Sequence, residues 1–306
     1  MLILQFMRGI ILLLTLLYGL NIHAQEGISS RKIKPVRDSL VMLDNDTLYF
    51  EKPNLLKNFG KVPSNMWSLA KSPFQGKNWV GVSAIAVSTT LLVMKDQEIL
   101  DWIRRASDRI DLRPETDYKI AVKVGDTKII KVPQNLNSTL YQLGEGGTSM
   151  MLAGGLWIYG KIRNDWRAIN TANDLAETFI TMGLTTQILK RSTGRESPFM
   201  STQPGGKWTA FPAFSEYQRN TSAYDAFPSG HLATMMATVT VLTSNYPEKK
   251  WIKPVGYTLI GMTAWAMMNT EVHWAGDYPL AIAIGYLSGK ITTMRHRKAP
   301  VRKVVF

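Results

Sequence analysis

The sequence predicts an all-α helical bundle with small β-hairpin additions in its N-terminal half. From Thr148 onward, apolar stretches at 148–160, 175–189, 232–243, 251–268 and 278–289 alternate with loops rich in Gly, Pro, Ser and Asn. Apolar runs of that length bounded by turn-forming residues mark helices that bury most of their surface. Before residue 134 the pattern changes, and two short segment pairs alternate apolar and polar residues as strands do. The 306 residues include no cysteine, which excludes a disulfide framework, a thiolate metal site and redox chemistry at sulfur.

Taken in order, residues 1–24 read as a secretory signal: Arg8 precedes an apolar run from Ile10 to Leu20, and small Ala24 stands before Gln25 at a cleavage-type position. Residues 25–77 form a polar arm, in which Ser39-Leu40-Val41-Met42-Leu43 and Thr47-Leu48-Tyr49-Phe50 flank Asp44-Asn45-Asp46 as a hairpin would. Residues 78–147 open with an uncharged run from Trp79 to Met94, followed by Asp96-Gln97-Glu98 and a stretch holding Arg104, Arg105, Arg109 and Arg113. A second hairpin is expected there, with strands from Tyr118 to Val124 and Thr127 to Val132 around Gly125-Asp126, where Gly in the first position suits a type II′ turn. Residues 148–292 are the helical core, and 293–306 a basic tail with Arg295, Arg297, Lys298, Arg302 and Lys303.

The formal net charge of +13 loses only Arg8 if the signal is removed. A basic exported protein is drawn to anionic lipid head groups or phosphorylated envelope molecules, and nucleic acid is not an expected partner. The core stretches are short against the roughly 20 residues of a bilayer span, and a mean hydropathy of −0.07 leans soluble, whereas the uncharged runs 79–94 and 254–270 lean toward a membrane. Five spans from a cleaved N-terminus leave the basic tail in the cytoplasm and the segments around 190–198, 228–231 and 273–277 outside it, on the periplasmic side. That parity expects 79–94 to pack on the bundle or lie at the interface. A soluble periplasmic form is the alternative.

Chemistry concentrates in three segments. Pro228-Ser229-Gly230-His231 opens an apolar stretch, and His273 follows 42 residues later with Asp277 at i+4. A Ser-Gly-His step at a helix start presents backbone N–H groups and an imidazole to an anion, while a carboxylate near a second imidazole orients it as nucleophile or base. The third segment is Lys190-Arg191-Ser192-Thr193-Gly194-Arg195-Glu196-Ser197-Pro198. Ends of adjacent antiparallel helices meet on one face of a bundle, so the three can converge.

Over residues 145–292 the order and spacing of these segments resemble the type 2 phosphatidic acid phosphatase and vanadium haloperoxidase superfamily. Its pattern is Lys, six residues, Arg-Pro; then Pro-Ser-Gly-His; then Ser-Arg, five residues, His, three residues, Asp. The resemblance implies a helical bundle of that kind, hydrolysing a phosphate monoester or pyrophosphate on a lipid or lipid-linked substrate through a phosphohistidine at His273. Asp277 would orient and stabilise that ring, and His231 would protonate the leaving oxygen. Lys190, Ser229 and Gly230 would bind the phosphate oxygens, with Arg195 and Ser197 as further candidates, and no metal or other cofactor is called for. Two departures stand out: Ser197 and Met267 occupy the places of the family's two arginines. Each lost charge-assisted donor costs about 2–4 kcal/mol of transition-state stabilisation. The alternative is therefore a catalytically weak or inactive phosphatase-like protein that binds phosphorylated lipid.

Overall fold

The computed structural model describes residues 39–42, 47–53, 58–124 and 127–296. The expected signal, the turn residues Asp44-Asn45-Asp46 and Gly125-Asp126, and the tail from Arg297 lie outside the described residues. Within them the chain forms nine α-helices and two separate two-stranded antiparallel sheets, an all-α architecture with two small hairpins. Strand β1 (Ser39–Met42) pairs with β2 (Thr47–Phe50), and β3 (Tyr118–Val124) with β4 (Thr127–Pro133), whose ladder is irregular around Val122.

The helices are α1 (Val62–Lys71), α2 (Trp79–Arg109), α3 (Leu136–Gly144), α4 (Gly146–Arg163), α5 (Trp166–Thr193), α6 (Phe214–Arg219), α7 (Gly230–Asn245), α8 (Ile252–Asn269) and α9 (Tyr278–His296). Local chemistry sets several of these ends. The Asp165 side chain accepts from Ala168 N to start α5, and Gly194, at φ +56°, ends it in the left-handed conformation. Ser229 caps α7 by accepting from Leu232 N.

At the centre, α7 and α9 pack backbone to backbone. A β-carbon on Gly285 would lie 2.3 Å from the Ala233 carbonyl oxygen, and one on Gly289 would lie 2.9 Å from Thr240 Cβ. Only glycine permits that approach. Leu232, Met235, Met236, Val239, Met267, Ala281 and Ile284 fill the interior around this crossing.

Three features depart from the sequence reading. The polar arm contains a helix, α1, whose Asn65 donates to Glu177 of α5 at 2.5 Å. The apolar run 79–94 and the arginine-rich stretch are a single 31-residue helix, because no Gly or Pro breaks the register between Val82 and Arg109. His273 and Asp277 do not share an α-helix; they bracket a 3-10 turn, Ala275–Asp277, between α8 and α9. Among the described residues α2 alone is long and apolar enough to cross a membrane by length and composition.

Candidate active site

The C-terminal end of α5, the N-terminal end of α7 and the turn before α9 meet at one end of the bundle. Ser229 N donates to the Asp277 backbone carbonyl at 3.1 Å, fastening the second motif to the third. The His231 and His273 rings face each other edge to face, centroids 5.7 Å apart. On its other side His231 meets the Tyr141 ring of α3 at 4.9 Å. A β-carbon on Gly144 would lie 2.8 Å from His231 Cβ, so α3 closes this wall only because residue 144 is glycine.

His273 Nδ1 lies 3.3 Å from Asp277 Oδ2, which also accepts from Trp274 N at 2.9 Å. This contact engages Nδ1 and leaves Nε2 as the ring nitrogen that the carboxylate does not hold. Asp277 Oδ1 accepts from Arg195 Nη1 at 2.6 Å. Burial pushes the Asp277 carboxyl up, but the Arg195 guanidinium, the His273 contact and the Trp274 N–H outweigh it and hold it below the usual range. His231 goes the other way: burial, then the nearby His273 and Lys190 charges, push its imidazole down to about 3.

Lys190 is buried, and its Nζ donates to the Asp225 backbone carbonyl and lies 3.5 Å from Asp225 Oδ2. Its chain passes over the start of α7, where a β-carbon on Gly230 would lie 3.9 Å from Lys190 Cε. Lys190, Ser229 and Gly230 thus come together beside the two histidines. The two remaining phosphate candidates, Arg195 and Ser197, are placed differently. Arg195 is fully buried, donates to Asp277, to Asp96 Oδ2 at 2.5 Å and to the Gly205 carbonyl at 2.7 Å, and stacks between Trp208 and Trp274. Two carboxylates claim its charge, so its place in the site is beside Asp277 rather than at a phosphate. Ser197 is buried, with its backbone N–H bonded to the Ser222 carbonyl.

Met267 is completely buried in the core. The other arginines near the motifs are directed elsewhere: Arg104 pairs with Glu271, Arg191 bonds Gln187 and stacks on Tyr217, and Arg105, Arg109 and Arg113 are exposed. The lost guanidinium positions are therefore filled by a small hydroxyl and a thioether. Three residues with a hand in the site escaped the sequence reading. Asp96 left a signal, a carboxylate two residues after an apolar run; Asp225 and Tyr141 left none, because their roles depend on long-range contacts.

Two helix ends and one turn thus bring a His pair, a carboxylate behind one of them and a Lys-Ser-Gly group together at one end of the bundle. Residues 171–300 match the PAP2 superfamily model. A lipid A 1-phosphatase from Porphyromonas gingivalis is similar over 80 residues at 30% identity, covering 26% of this chain and 18% of that protein. The chain thus spans less than a fifth of the length of that curated relative. No solved structure matches the chain.

Proposed function

We propose that the protein is an exported, membrane-embedded phosphatase that removes a phosphate from a lipid or lipid-linked substrate through a phosphohistidine at His273. The observation that carries this reading is the opposition of His231 and His273 beside Lys190, Ser229 and the start of α7, with Asp277 behind His273. In the first step His273 Nε2 attacks phosphorus, a P–N bond forms, the P–O bond to the leaving group breaks, and that oxygen takes a proton from His231, whose imidazole is neutral in the free protein and is charged once the phosphate's negative charge lies beside it. In the second, water attacks the phosphohistidine, His231 accepts its proton, the P–N bond breaks and phosphate leaves. Amides at the α7 start and Lys190 offset the charge on the phosphoryl oxygens.

The lipid assignment rests on an apolar groove of about 1140 Å³ between α1, α2, α5 and α9. Its lining includes Phe227 and Pro279, which adjoin the Pro-Ser-Gly-His segment and the turn carrying Asp277. A chain seated there leads its head group toward the histidines. The matched lipid A 1-phosphatase supports phosphorylated lipids as the substrate class.

A second reading, a binding protein with weak turnover, is favoured by one specific observation: Asp225 engages Lys190 while Ser197 and Met267 supply no charge. Phosphate release from a panel of phosphorylated lipids in detergent decides between them. The enzyme reading expects release that His273→Ala abolishes, by about a thousandfold or more. Equal background release by both proteins, with retained lipid binding, establishes the second reading.

A further inference from the structure

We propose that Asp96, on α2 and outside the segment matched to the PAP2 superfamily, is a positioning residue that sets the catalytic carboxylate Asp277 through Arg195. The proposal rests on the phosphatase reading for its kinetic consequences, although its geometry stands apart from it. Asp96 is 1% exposed, and both of its carboxylate oxygens are committed to the site. Oδ2 accepts from Arg195 Nη2 at 2.5 Å, and Oδ1 accepts at 2.8 Å from the backbone N–H of Gly276, the residue before Asp277. Arg195 in turn reaches Asp277 Oδ1 with its other terminal nitrogen, and Asp277 Oδ2 faces His273. One unbroken chain of contacts therefore runs Asp96, Arg195, Asp277, His273.

Each end of that chain has a physical consequence. A guanidinium shared between two buried carboxylates directs only part of its charge to each, so Asp277 keeps more negative charge for the His273 ring than Arg195 alone would leave it. The Gly276 bond fixes the 3-10 turn from below. A β-carbon on Gly276 would lie 2.6 Å from Val93 Cγ2 and 2.8 Å from Asp96 Oδ2, so the turn sits directly on α2. Partners that orient a functional group in this way usually matter by about 10- to 100-fold.

Two substitutions separate positioning from mere support. Asp96→Asn keeps an acceptor for Gly276 N–H and removes the negative charge that faces Arg195, placing an amide NH2 against Nη2, while Asp96→Ala removes both interactions. In Asp96→Asn, kcat for lipid phosphate is expected to fall about 10- to 100-fold with KM within about twofold of wild type. The acidic limb of its pH–rate profile moves to lower pH, because Arg195 draws Asp277 away from the imidazolium. A merely structural Asp96 predicts wild-type kcat and pH profile in Asp96→Asn with loss confined to Asp96→Ala, and that result overturns the proposal. A readout independent of turnover is the downfield proton resonance of His273 Nδ1–H, assigned by its absence in His273→Ala. Its upfield shift in Asp96→Asn supports the chain of contacts, and an unchanged shift overturns it, whether or not the wild-type protein releases phosphate.

Discussion

Asp225 and Lys190 set the charge that a phosphate would meet. The carboxylate competes with any anion for the one lysine at the site, across a distance of 3.5 Å. Asp225→Asn is therefore expected to strengthen binding of inorganic phosphate by roughly three- to tenfold, read by calorimetry, through loss of repulsion and release of Lys190. Unchanged affinity would place the phosphate away from Lys190. Met267 argues in the opposite direction. Its side chain is completely buried, so Met267→Arg introduces a guanidinium with no partner in place, at a cost of several kcal/mol. The expected outcome is a lower thermal midpoint, partly recovered by added phosphate; full stability without phosphate would show that the pocket already accommodates a cation. His231 makes the stability of the fold depend on pH. Its folded pKa, pushed down to about 3, lies below the roughly 6.5 of an unfolded imidazole. Unfolding then takes up a proton between those values, so stability falls as pH drops from about 6.5 toward 3, and His231→Gln flattens that slope.

At the scale of elements, glycines and buried ionic contacts decide how close the helices come. Gly276→Ala forces a methyl group against Val93 and Asp96 and pushes α2 off the turn, with an expected loss of about 1–3 kcal/mol in thermal stability. A wild-type melting profile for that variant would mean that α2 yields freely. The far end of α9 is held differently. His296 pairs through Nδ1 with Asp174 and lies with Nε2 3.2 Å from Glu177 Oε2, both on α5. Burial alone would lower its pKa, but the bonds and charges of the two carboxylates raise it to about 9. The sign is opposite to that of His231. This contribution is complete below about 6.5 and is lost as pH rises through about 9, leaving two carboxylates without their cation. His296→Gln should lower the melting midpoint at neutral pH and remove the decline between pH 7 and 10; a decline that persists in the variant would assign it to other groups.

For the whole molecule the question is the solvent. Met151, Ile158 and Ile162 on α4, Leu184 and Ile188 on α5, and Val87, Leu91 and Met94 on α2 are exposed large apolar side chains distributed around the bundle. Exposed apolar surface of that kind marks contact with a membrane, another protein or a ligand. The protein is expected to remain with the membrane fraction until detergent is added, and full release by osmotic shock would establish a soluble form instead. A mobile association through α2 alone would be recognised by solubility after that helix is made polar.

The sequence by itself determined the bundle class, the places of the five core helices, though α5 starts nine residues before the expected stretch and α9 ends seven after it, and the three motif segments. Helical apolar runs and Pro-Ser-Gly-His are local signals, readable wherever the chain places them. Both strand pairs were legible for the same reason, through their period-two alternation. Helix α1 was not, since its polar residues are stabilised by Glu177, 112 positions away from Asn65. Only the tertiary structure decided how charge is distributed at the site. It turned Arg195 from a phosphate candidate into the partner of two carboxylates, set Asp225 against Lys190, and brought Asp96 from an N-terminal helix to the turn holding Asp277. The strength of a cation or a carboxylate depends on what lies within a few ångströms of it, and residues 99 and 180 positions apart become neighbours only when the chain folds.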